Sequence, residues 1–584
     1  MRALRPAAAL FLSLVLALPA VPVAAQGGPQ LESPTIHDRI PPAVPVASKG
    51  GMVVAQEARA AEIGADILRR GGNAVDAAVA VGFAMAVTYP RAGNIGGGGF
   101  MTIHLAAPNI QTTIDYRETA PAAITRDSFL ATDGEADPFK SRHSALAIGV
   151  PGTVAGLVMA LERYGSGKFG LSDLVGPAIR LAREGFPLDG DLADSLPAMQ
   201  ERFSRWPSSA KVFLKPDGTS LQPGDLLAQP DLADTLTAIA RFGTKGFYHG
   251  PVAERLIAAI RDAGGVMILD DLNNYQAIER EPLRGRYRDH DIIAMPPSSS
   301  GGVVLIEMLN ILEGYDLARM DDAARLHVTI EAMKRAYADR AAFLGDPATV
   351  EAPLGRLTDK GYAKELRDGI DLKKTTPSDQ LHAALAPPRQ EGDNTTHFSI
   401  VDAAGNAVAN TYTLNFSYGL GLVADGTGVL LNNELDDFAA KPGAPNAYGL
   451  VGGEANAPGP NKRPLSSMTP TVVLKDGKPV LVTGSPGGSR IITTVLQVIQ
   501  NSIDRRLGIA AAVAAPRIHH QWLPDQVLAE PGFAPEVMRD LAARGHHVVI
   551  GPPATSANSV TVTPEGVVGA ADPRTRGALA AGAE

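Results

Sequence analysis

The chain has 584 residues, 45% of them hydrophobic and 20% charged, with a net charge of −9. That is enough for a large buried core, and the acidic balance speaks against nucleic acid as a partner, since phosphate binding needs a basic face. There is no cysteine, so disulfides, thiol nucleophiles and thiolate metal sites are excluded, and a small-molecule ligand is the expectation.

At the N-terminus, Arg2 and Arg5 precede an apolar stretch, Ala7 to Leu18, and Val23 and Ala25 stand three and one residues before Gln26. This is the order of a secretory signal, so residues 1–25 are expected to be removed and the protein to be exported, periplasmic or secreted. The apolar stretch is short for a bilayer span, and no other reaches the roughly 18 residues a transmembrane helix needs. Residues 26–50 read as a Pro/Gly-rich surface arm. Gln56 to Arg70 reads as a helix stopped by Gly71-Gly72, and Asn73 as the N-cap of a second, more buried helix. A glycine run, "AGNIGGGG", leads into a strand, and "TTIDYRETAP" reads as the next strand. Helical patterns dominate from about 150 to 385. A polar, Pro-containing linker follows at 386–394, and beyond it short strands and Gly-rich turns run to about 490.

At that border stands "TTHFSIVDAAGNAVANTYTLN". Turn-forming residues occupy Asp402 to Asn406 between two runs of strand propensity, which predicts a β-hairpin. If the turn is symmetric about Ala404, residues whose numbers sum to 808 face each other, and Thr395 and Thr413 form such a pair. Directly opposed residues have Cβ atoms about 4.5–5.5 Å apart, close enough for their hydroxyls to interact. A threonine hydroxyl needs an adjacent base to act as a nucleophile. Its own α-amino group, with a reference pKa of about 7.7–8.0, would serve once the chain is cut between Asn394 and Thr395. Thr395 could make that cut by attacking the Asn394 carbonyl. An ordinary strand start accounts for the same residues, and alternation makes His397 a strand-face residue rather than a base.

"TTHFSIVD…NTYTLN", "LLNNELDDF", "GPNKRPLSSMTP", "GSPGGSRI" and "DYRETAP" together resemble the γ-glutamyltranspeptidase (glutathione hydrolase) family of N-terminal-nucleophile hydrolases, from about residue 35 to 575. The resemblance implies an α+β fold, an αββα sandwich built by two subunits of one self-cleaved precursor: a large subunit 26–394 and a small catalytic subunit 395–584. It implies Thr395 as nucleophile and Thr413 as the residue that orients and activates it. Arg117 matches the arginine for the substrate α-carboxylate, with Ser466 and Ser467 as its hydroxyl partners. Asp437 matches the acid for the α-amino group, flanked by Asn415 and Glu434, the latter at a place that is glutamine in some members. Gly487 and Gly488 match the oxyanion hole. Phe438 to Asn456 looks like the lid loop, with Tyr448 as its wall aromatic, a segment that related glutaryl acylases lack.

The expected function is γ-glutamyl transfer and glutathione hydrolysis. Glutathione and related compounds are the donors and water, amino acids or dipeptides the acceptors, and no cofactor or metal is required. Two alternatives stay open: a glutaryl or cephalosporin acylase on the same scaffold, and a non-catalytic exported binding protein. "GGNAVDAA" and "NIGGGGF" lack a phosphate-loop frame and read as packing glycines. His519 and His520 are adjacent, point to opposite faces of a strand and read as structural.

Overall fold

The computed structural model describes residues 40–381 and 394–584; the expected signal segment 1–25 and most of the linker lie outside the described residues. Two seven-stranded antiparallel sheets organise the molecule. One runs, in spatial order, Leu579–Gly582, Gly51–Ala55, Thr396–Asp402, Ala407–Thr413, Gly98–Leu105, Ile110–Tyr116 and Ile278–Arg280. The other runs Val46–Ser48, Gly566–Ala570, Ser559–Thr563, Lys478–Thr483, Thr471–Lys475, His290–Ala294 and Leu283–Tyr287.

Strand alternation explains the layering. In Gly51–Ala55, Met52 and Val54 face the second sheet among Val401, Ala409, Val472 and Val482. Val53 and Ala55 face the other way, into a core shared with the helices Ala58–Arg69 and Ala74–Thr88. The second sheet is covered in turn by Gly301–Leu312, Asp322–Phe343 and Arg490–Ile503. Successive side chains of a strand point to opposite faces, so strands buried on both sides give four layers, αββα, as expected.

The N-terminal helix signals hold. Asn73 caps Ala74–Thr88 with a capping box, its side chain accepting from Val75 and Asp76 N–H while Asp76 accepts from Asn73 N–H. That helix is buried along its whole length. Two expectations need correction. Val46–Ser48, read as part of a surface arm, is an edge strand paired with Gly566–Ala570. The region 150–385, in which helical patterns were expected to dominate, also contains three short strands between Ile278 and Ala294; arginines and exposed positions in Ile278–Arg280 and Leu283–Tyr287 hid the strand character of those two.

The hairpin register is the one predicted: Thr396 pairs with Tyr412, Phe398 with Asn410 and Val401 with Ala407. Asp402 fixes the turn by accepting from Ala404 N–H and Asn406 N–H, and it also accepts from Ala74 N–H at the helix start. The adjoining strand pairs Gly98 with Thr413 and Gly99 with Tyr116. Thr395, Thr413 and Arg117 therefore leave the sheet at the same end.

Candidate active site

The hydroxyls of Thr395 and Thr413 lie 3.5 Å apart, Thr395 donating. Thr413 Oγ1 also accepts from Asn415 N–H at 2.8 Å and donates to the carbonyl oxygen of Asn394 at 2.8 Å. A hydroxyl has one proton and two lone pairs, so this arrangement uses all of Thr413 and polarises the peptide bond that precedes Thr395. The Asn394 side chain is held by the buried Arg91, whose Nε donates to Oδ1 at 3.2 Å. Arg91 in turn faces Asp191 at 3.7 Å.

The glycine run explains how three strand ends approach so closely. A Cβ on Gly97 would lie 2.0 Å from Thr413 O, and one on Gly99 would lie 2.4 Å from Thr411 O. Only glycine fits there. Beyond Thr413 the chain turns at Asn415, whose φ of 73° is a left-handed conformation that asparagine tolerates. Its side chain accepts from Tyr448 Oη at 2.6 Å and donates to Asn433 O at 2.9 Å.

Arg117 is fully buried at the end of its strand. Its Nε donates to Pro464 O at 3.0 Å, one terminal nitrogen pairs with Glu434, and the other pairs with Asp437 at 2.5 Å. Glu118 stands 3.8 Å away. Burial alone would lower the guanidinium; Glu434 and Asp437 overcome it and hold Arg117 above its ordinary value. Burial pushes all three carboxyls up against the pull of Arg117, Glu118 to about 7. Three carboxylates around one cation in a dry site favour keeping part of their charge neutralised by protons.

Glu434 and Asp437 sit on a single 3-10 turn, Glu434–Asp437. The following loop folds back over them: Asn446 donates to Asp437 Oδ1 at 3.1 Å, and Asn456 donates to Asp437 O at 2.7 Å. Ser466 and Ser467 precede the strand Thr471–Lys475, and Gly487 and Gly488 join Lys478–Thr483 to the start of the helix Arg490–Ile503. Their φ values are 128° and 52°, which side chains rarely adopt. A Cβ on Gly488 would lie 2.4 Å from the Tyr448 ring. A helix N-terminus favours negative charge, so this turn suits an anionic group.

Thr395, Thr413, Arg117, Asn415, Glu434, Asp437, Tyr448, Ser466, Ser467 and Gly488 line one cavity, whose volume is about 20 Å³. Gly487 is adjacent in the turn but not among the lining residues. A space of that size holds about one water.

A family model for gamma-glutamyltranspeptidase matches residues 60–582. The chain belongs to the γ-glutamyltranspeptidase family. It is 51% identical over 536 residues to the glutathione hydrolase proenzyme of Escherichia coli (strain K12), covering 91% of this chain and 92% of that one. The crystal structure of Helicobacter pylori γ-glutamyltranspeptidase is 44% identical, with a TM-score of 0.54, over 56% of this chain and 93% of that one. A cephalosporin acylase from Bacillus halodurans is 28% identical with a TM-score of 0.80, over 93% and 97%.

In this member of the family, His397 is a strand-face residue. Its ring contacts Thr411 Oγ1 at 2.8 Å and Ser399 Oγ at 2.9 Å, and burial pushes its pKa down to about 3. A histidine with a depressed native pKa contributes stability above its unfolded value of about 6.5, and that stability is lost as pH falls towards 3. We expect His397→Gln to be costly at pH 7 and nearly neutral near pH 4, so the difference in Tm between the two proteins should shrink across that interval. Parallel Tm curves would exclude this coupling.

His519 contacts Thr493 and Gln521, while His520 contacts Asp525, so their ring partners are separate. Among the described residues a different group, His327, Glu331 and His546, has metal-ligand chemistry. Its rings contact each other at 2.7 Å, and Glu331 accepts from Arg335, Thr375 and Thr376. Sequence reasoning also passed over Arg91 and Arg340. Both are arginines in apolar or helical surroundings, with nothing local to mark them. No helix among the described residues is long and apolar enough to cross a membrane.

Proposed function

We propose that this protein is a γ-glutamyltransferase and glutathione hydrolase that matures by cutting itself between Asn394 and Thr395. The observation that carries the reading is the hydrogen bond from Thr413 to the Asn394 carbonyl, with the Thr395 hydroxyl beside it. Attack of Thr395 Oγ1 on the Asn394 carbonyl carbon transfers the acyl group from nitrogen to oxygen. Thr413 stabilises the negative charge that develops on the carbonyl oxygen. Water then opens the ester, leaving Asn394 with a carboxylate and Thr395 with a free α-amino group. The two pieces, 26–394 and 395–584, stay together as a heterodimer, because strands and helices of both build each core.

In the matured protein the Thr395 amine takes the proton of its own hydroxyl as Oγ1 attacks the γ-carbonyl of a γ-glutamyl amide. The oxyanion meets the backbone N–H groups of Gly487 and Gly488, and the amine leaves with the proton. Water, an amino acid or a dipeptide then releases the γ-glutamyl ester. Arg117, Ser466 and Ser467 hold the α-carboxylate, and Asp437 with Glu434 and Asn415 holds the α-ammonium. Entry of the zwitterion exchanges ion partners, its carboxylate taking the place of one of the carboxyls on Arg117. The N-terminal sequence supports export to the periplasm or outside the cell.

The structural likeness to a cephalosporin acylase keeps one alternative in view, because a glutaryl group has the same length but no amine. L-γ-glutamyl-p-nitroanilide and glutaryl-p-nitroanilide separate the two. We expect at least a hundredfold preference for the former, and equal rates or a glutaryl preference would contradict the reading.

Gly488 gives a further check on the oxyanion turn. Gly488→Ala forces a left-handed alanine and drives its methyl into Tyr448, displacing an oxyanion donor. Loss of such a donor typically costs about 10²–10³ in kcat. A kcat within threefold of wild type on the γ-glutamyl anilide would remove Gly488 from the mechanism.

A further inference from the structure

The charges in the site are unevenly matched. Arg117 faces three carboxyls, Glu118, Glu434 and Asp437, within 3.8 Å. Arg340, on the helix Asp322–Phe343, is only 4% exposed, and none of the described residues offers it a carboxylate at ion-pair distance. Its hydrogen bonds run to two hydroxyls instead: Nε donates to Ser300 Oγ at 2.9 Å and Nη2 donates to Ser467 Oγ at 3.4 Å. Ser300 Oγ in turn donates a hydrogen bond to Ser466 O at 2.7 Å. One helical turn earlier, Tyr337 donates to Ser489 O beside the oxyanion turn. A single helix face thus supports both serines and the glycine turn.

Asp437 acts on Arg340 only through space, without a direct contact; a buried cation with no directly bonded counter-charge is costly, and such groups are normally paired. Its position directly behind Ser467 indicates what completes the pairing. Because Ser467 Oγ accepts from a guanidinium, its proton is left to be donated into the cavity, towards an anion. On the γ-glutamyl reading, that anion is the substrate α-carboxylate.

We propose that Arg340 is a positioning and specificity residue for the α-carboxylate, acting through Ser467. It orients the serine proton towards the ligand, and it supplies the positive potential that Arg117, already surrounded by carboxyls, cannot supply alone. The inference rests on the proposed γ-glutamyl activity, and its test keeps the two apart.

The test compares matured wild type, Arg340→Gln and Arg340→Lys on L-γ-glutamyl-p-nitroanilide and on 4-aminobutanoyl-p-nitroanilide, which lacks only the α-carboxylate. Wild type is expected to prefer the first. In Arg340→Gln, KM for the γ-glutamyl anilide should rise about tenfold or more with kcat within threefold. The 4-aminobutanoyl reaction should be unchanged, so that the preference falls by the same factor. Arg340→Lys, which keeps a charge without the planar fork, should recover part of it; should Arg340→Gln fail to mature, Arg340→Lys decides alone by an intermediate preference. An unchanged preference in either variant, or an equal loss on both substrates, would overturn the proposal by leaving Arg340 a packing role. A wild type with no preference would overturn the γ-glutamyl reading itself.

Discussion

Thr413→Val should leave the chain uncut, or cut at least about a hundredfold more slowly, although Thr395 and its fold neighbours are untouched. Valine keeps the shape of the strand end but removes three interactions at once: the bond to the Asn394 carbonyl, the acceptor for Asn415 N–H and the acceptor for the Thr395 hydroxyl. The first stabilises the oxyanion of the cleavage step, and donors of that kind are worth about 10²–10³ in rate. The second leaves a buried N–H without its partner, which costs about 1–3 kcal/mol. A time course of subunit appearance on denaturing gels measures the effect. Serine at the same position should restore most of the rate, since it returns the hydroxyl. Cleavage of Thr413→Val at the wild-type rate would mean that Thr413 is a strand residue and no more.

Arg117→Lys should lower kcat/KM for γ-glutamyl anilide by at least about a hundredfold. Lysine keeps the charge but cannot present two parallel N–H donors to a carboxylate. It also cannot reach Pro464 O, Glu434 and Asp437 together, as Arg117 does. Breaking a buried, hydrogen-bonded charge network by removing one member typically costs 3–5 kcal/mol. Steady-state kinetics on protein that has already matured isolates the recognition step from the cleavage step. If kcat/KM falls less than tenfold, the α-carboxylate is held elsewhere, and Arg340 becomes the first candidate.

The hairpin was legible from the residues alone. Asp402 to Asn406 are turn formers, the flanking runs have strand propensity, and a symmetric turn fixes every pair across it, including Thr395 with Thr413. The helix around Ala74 was legible from its cap and its apolar length. The binding residues were not legible in that way. Arg117, the Glu434–Asp437 turn, Ser466-Ser467 and Gly487-Gly488 come from four separate segments, and no local spacing says that they meet. Their assignment came from resemblance, and the fold brings all but Gly487 to the wall of one cavity.

Arg340 escaped both approaches. Within a 22-residue helix rich in charged residues, an arginine reads as solvent-facing. Only burial against Ser300 and Ser467 distinguishes it. Ile278–Arg280 and Leu283–Tyr287 were missed because edge strands carry exposed and charged positions that blunt the alternation on which strand reading depends; His290–Ala294 is paired on both sides, and its two polar then three apolar residues show no alternation.

The most direct test of the account is the intact mass of the purified protein beside its Thr395→Ala variant. The wild type should give a fragment of 190 residues, roughly 20 kDa, with Thr395 as its first residue. The variant should stay whole. A wild type that remains uncut under conditions where it is folded would contradict the central claim, since the free amine that the mechanism needs would never form.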